Sequence, residues 1–131
     1  MREKSIKDSY IIKKDLVYSC YFKRAMQIFP SSRLVSVARY APLDFRGSFM
    51  RELNPPEDLF MAYKAGDIDQ ETFIEVYYDR VLAGKNVDAI YNALKGKVIC
   101  CWEKPDDFCH RHIILDWIDI AKGLGYTGGE V

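Results

Sequence analysis

The chain has 131 residues, 49% of them hydrophobic, and its 19 lysines and arginines balance 19 aspartates and glutamates to a formal net charge of zero. That length suits a single domain with a core that stands without cross-links, and the charge balance excludes a chain-wide polycation, so nucleic acid is not indicated and would need a local patch. No run nears the roughly 18 apolar residues of a membrane span, and the charged N-terminus lacks a secretory signal, so a cytoplasmic protein with no membrane partner is expected. In such a compartment its four cysteines are expected as catalytic, metal-binding or buried thiols.

Residues 1–15 form a polar N-terminal segment. Val17 to Phe22 reads as the first strand, followed by a short helix over Phe22 to Ile28, and Arg33 to Ala38 has the β-branched enrichment of a second, buried strand. The segment between them is expected to cross over the sheet. From Arg39 to Pro56 the chain carries Pro42, Gly47, Pro55 and Pro56, too irregular for one helix and long enough to be functional, with Tyr40, Phe45 and Phe49 to lid a pocket or cover the core.

Pro56 then opens a helix whose stripe of Leu59, Phe60 and Tyr63 ends at Gly66. Asp69 caps the next, with Phe73, Ile74, Tyr77 and Val81 on one face until Gly84, and Asn86 caps a third that Gly96 closes after Leu94. Lys97 to Trp102 is an apolar strand, and Ile113, Ile114, Trp117, Ile118 and Ala121 recur at helical spacing. Residues 123–131 read as a flexible glycine-rich tail in which Tyr126 could start an edge strand. The order implies one α/β domain, a three-layer sandwich with a small, mainly parallel sheet flanked by helices.

Chemistry concentrates between the last strand and the last helix, where Cys101, Glu103, Cys109, His110 and Arg111 fall within eleven residues. Side chains alternate across a strand, so Cys100 and Cys101 face opposite ways and only Cys101 shares a face with Glu103. Cys109 belongs to a helix's first turn, where partial positive charge beside His110 and Arg111 favours thiolate. The expected roles are Cys109 as nucleophilic or redox sulfur, Cys101 as its resolving partner and His110 as proton donor or acceptor, with Glu103 beside them. An arginine in a first turn wants a partner beyond the macrodipole, such as Glu103, a loop aspartate like Asp107, or a bound anion.

A reading of another class stands beside that one, a binding module that recognises a nucleotide or nucleic-acid segment through Arg39, Arg111 and the aromatic loop with the cysteines only structural; two further arrangements of the cysteines also remain open. Cys101 and Cys109 could form a reversible disulfide, or Cys101, Cys109, His110 and His112 could hold zinc. The spacing matches neither C-x-x-C knuckles nor H-E-x-x-H, and neighbouring helical residues diverge by about 100°. No resident cofactor is therefore expected, with zinc the weaker alternative.

The run Cys101-Trp102-Glu103-Lys104-Pro105 followed by Cys109-His110-Arg111 resembles the hallmark of the domain-of-unknown-function family 488. Tyr18-Ser19-Cys20-Tyr21-Phe22, Ser36-Val37-Ala38-Arg39-Tyr40-Ala41-Pro42 and Leu53-Asn54-Pro55 continue the likeness, which spans roughly residues 16–118. The resemblance implies a thiol site and specifies no reaction. Arg39, at the carboxyl end of the second strand, would lie beside Cys101 if the strands are parallel, so Arg39 and Arg111 are expected to bracket a small anionic ligand, with Ser19 and Tyr21 offering hydroxyls.

Overall fold

Among the described residues five short strands are all parallel: β1 (Val17–Tyr21), β2 (Leu34–Ser36), β3 (Ser48–Phe49), β4 (Val98–Cys101) and β5 (Thr127–Glu130), in the order β3-β2-β4-β1-β5. The computed structural model describes residues 12–103 and 108–131, so the polar stretch at 1–11 and the lead-in Lys104 to Asp107 lie outside the described residues. Every residue of β2 and β4 is buried, as befits strands covered on both faces. Helices α1 (Phe22–Ile28), α2 (Glu57–Lys64), α3 (Gln70–Tyr77), α4 (Val87–Leu94) and α5 (His110–Lys122) flank the sheet. The fold is the expected small α/β sandwich.

Local chemistry sets the helix ends much as the residues suggest. Asp69 accepts the Thr72 amide at 2.8 Å and Asn86 that of Ala89 at 3.1 Å, each satisfying a donor the first turn leaves over. Pro56 stands one place before α2 as its cap. The apolar stripe of α3 continues to Val81, but the turn Tyr78–Leu82 widens to π spacing, with Ala83 donating to the Tyr78 carbonyl. Tyr77, fully buried, donates to the Leu53 carbonyl at 2.6 Å and so ties α3 to the long loop.

That loop has more structure than its prolines suggest. It contains the edge strand β3 and a 3-10 turn at Arg51–Leu53. Phe45 is buried edge-on against Phe22 and Phe49, so it completes the core instead of acting as a lid. The glycine-rich tail is likewise ordered: β5 lies parallel to β1, and a Cβ at Gly128 would overlap the ring of Tyr18. Close approach explains a glycine that strand propensity disfavours. No helix among the described residues is long and apolar enough to cross a membrane.

Candidate functional site

β4 is the central strand, and its carboxyl end is where open parallel sheets gather ligands. Register pairs Cys20 with Cys100 and Tyr21 with Cys101, so strand alternation sends the two adjacent cysteines of β4 to opposite faces. Cys20 and Cys100 are free and buried; burial pushes the Cys20 thiol up to about 11 and raises that of Cys100 as well. Cys101 instead meets Cys109, the residue that caps α5, and the two are joined as a disulfide with Cα atoms 7.4 Å apart.

Each sulfur of the pair has its own polar neighbour. His110 Nε2 lies 2.6 Å from the Val37 carbonyl, which can only accept, so the proton sits on Nε2 and the lone pair of Nδ1 faces Cys109 Sγ at 3.8 Å. Burial pushes the imidazole down to about 4, so it is neutral beside the closed disulfide. Arg111 Nη1 donates to Cys101 Sγ at 3.0 Å, a contact that favours a thiolate there once the bond opens. Glu103 Oε1 stands 3.7 Å from the same sulfur, on the face expected from alternation.

The partner of Arg111 is Glu130, at the end of β5. Fully buried, the guanidinium clamps both carboxylate oxygens, Nε to Oε1 at 3.1 Å and Nη2 to Oε2 at 2.8 Å. Ser19 Oγ donates to Glu130 at 2.5 Å and His112 Nε2 approaches it at 3.2 Å. Arg111 and Ser19, both expected beside a ligand, thus converge on a carboxylate that the reading of a loose tail did not place, while Arg111 also reaches Cys101 Sγ. Burial alone would raise the Glu130 carboxyl, but the bonds from His112, Arg111 and Ser19 outweigh it and hold it at about 2.

These two shifts act in the same direction. A folded state that excludes a proton from His110 and from Glu130 loses stability on acidification, for His110 as pH falls from 6.5 towards about 4, and for Glu130 from 4.5 towards about 2. Each contribution is of order 2–3 kcal/mol. Urea unfolding of the metal-free oxidised protein should show stability falling in both windows, and a His110→Gln variant should lose only the upper one.

A cavity of about 190 Å³ opens onto the cysteines, lined by Cys101, Glu103, Cys109 and His110 on one side and by aromatic rings including Tyr40, Phe60 and Tyr63 on the other. Arg39, just beyond the carboxyl end of β2, also lines it, and pairs with Glu57 at 3.8 Å. Its Nη1 donates to the Pro55 carbonyl, while its Nε is buried with no hydrogen-bond partner among the described residues. The Leu53-Asn54-Pro55 stretch thus ties the loop to its surroundings: the Leu53 carbonyl accepts from Tyr77, the Pro55 carbonyl accepts from Arg39, and the Asn54 side-chain amide donates to the Val37 and Ala38 carbonyls. Tyr21 lies elsewhere, lining a larger groove with Phe22, Met26 and Trp102.

No curated protein and no solved structure matches the chain. A family model described as DUF488-N3a, Active DUF488-N3 subclade, matches residues 23–122, a span that takes in Arg39, Leu53-Asn54-Pro55 and the Cys101 to Arg111 run. With most of its length inside that match, the chain belongs to the DUF488-N3a family.

Proposed function

We propose that the protein is a cysteine-dependent enzyme that carries out thiol–disulfide exchange on a small anionic substrate held in the aromatic cavity. In the reduced form Cys109 is the attacking sulfur. Its proton passes to Nδ1 of His110 as the sulfur bonds to one sulfur of a substrate disulfide, and the departing thiolate takes that proton from His110. Cys101, held as thiolate by Arg111, then attacks the Cys109 sulfur, releases the second substrate thiolate with its electron pair, and closes the Cys101–Cys109 bond. A small thiol reductant returns the pair to thiols. Arg39, whose Nε lacks a partner among the described residues, would hold the anionic group.

One observation carries the reading: each sulfur of a single bonded pair meets a different polar group, a proton acceptor at Cys109 and a cation at Cys101. The word active in the family's description is in keeping with it. Site-resolved labelling of the reduced native protein with limiting iodoacetamide supplies the test. Cys109 should react at least about tenfold faster than Cys20 and Cys100, and His110→Gln should slow Cys109 alone by roughly tenfold or more. Uniformly slow labelling of all four cysteines would remove the basis for catalysis.

A further inference from the structure

We infer that, when the Cys101–Cys109 bond is open, the two sulfurs and Nδ1 of His110 form a binding site for a divalent ion of the zinc type. The inference goes beyond the exchange reaction and does not depend on it. The three ligand atoms all lie within 4.8 Å of one another. Around a tetrahedral ion with bonds of about 2.0–2.3 Å, two sulfurs and a nitrogen stand roughly 3.5–4 Å apart, so small rotations of the two thiols suffice.

The spacing objection to zinc fails on one backbone detail. Cys109 is the cap and not a helical residue, with φ −149° and ψ 144°, so it and His110 are not separated by the angular step of a helix and both reach one point. Cys101 ends β4 and Cys109 caps α5, with Cα atoms 7.4 Å apart, so the two thiols reach one point from separate elements.

Supporting contacts are already in place. The Nε2–H to Val37 carbonyl bond fixes the tautomer that leaves Nδ1 free, the arrangement that orients metal-binding imidazoles. Arg111 donates to Cys101 Sγ and tempers its charge. Two thiolates and a divalent ion sum to zero charge, which suits a site whose three ligands are buried. Sulfur and imidazole donors select zinc, cobalt or cadmium over magnesium or calcium. His112, engaged with Glu130, is not one of the three. All three ligand residues line the cavity, as does Glu103, whose Oε1 stands 3.7 Å from Cys101 Sγ.

The disulfide and the ion exclude each other, because the covalent bond consumes both thiolates. The test is titration of the reduced, chelator-stripped full chain with cobalt(II), read by thiolate-to-metal charge-transfer absorption. One equivalent should bind, zinc should displace it, and the diamide-oxidised protein should bind none. Cys101→Ser and Cys109→Ser should each abolish the band, His110→Gln should weaken binding at least about tenfold, and a Cys20→Ser/Cys100→Ser variant should behave as wild type, each with folding checked by circular dichroism. Absence of the band in the reduced wild-type chain overturns the inference without recourse to any variant. So does a band that survives either serine substitution, or binding indifferent to His110→Gln.

Discussion

A Glu130→Gln variant should lose about 3–5 kcal/mol of stability, because it leaves the Arg111 guanidinium buried without its counter-ion. The size of the effect follows from the asymmetry of burial. Arg111 is fully enclosed, whereas the Glu130 side chain keeps 22% of its exposure, so the charge left behind is the one that water cannot reach. For a chain of this size the loss corresponds to a fall in Tm of roughly 10–15 °C, measurable by thermal or urea unfolding. Adding Arg111→Met should recover part of it, since the double variant buries no unpaired charge. A single-variant loss under about 1 kcal/mol would mean that the clamp adds nothing beyond a surface ion pair.

The oxidised protein should be more stable than the reduced by about 2–3 kcal/mol, or roughly 6–10 °C in Tm, because the Cys101–Cys109 bond closes a short loop in the unfolded chain. The dependence should vanish in Cys109→Ser and in Cys101→Ser, and persist when Cys20 and Cys100 are both replaced by serine. Thermal unfolding in the presence and absence of a thiol reductant, with chelator present throughout, measures it. Equal melting temperatures in both states would detach the pair from the fold's energetics.

Most of the scaffold was readable because the rules involved are local. Asp69, Asn86 and the glycines after α3 and α4 mark helix ends by backbone chemistry alone, and the period of two along β4 separates Cys100 from Cys101. Parallel pairing then carries Arg39 to the Cys101 end, as expected. What escaped depends on contacts far apart in the chain. Nothing near Glu130 marks it as the partner of Arg111, since Gly128 and Gly129 suppress the strand signal that would have placed it beside β1. Ser19, expected to meet a ligand, was legible only as a hydroxyl on a strand. The convergence of Cys101, Cys109 and His110 was under-read for a different reason, a helix start placed one residue early at Cys109.

Cys101 and Cys109 form one bonded pair in the wall of the cavity, while Cys20 and Cys100 stand apart as free, buried thiols. Mild diamide oxidation of the reduced native protein, quenching by alkylation and peptide mass spectrometry test it in one step. The expected product is a cross-linked peptide joining Cys101 to Cys109, with Cys20 and Cys100 recovered as thiols. Cross-links through Cys20 or Cys100, or Cys101 and Cys109 both recovered as thiols, would contradict it.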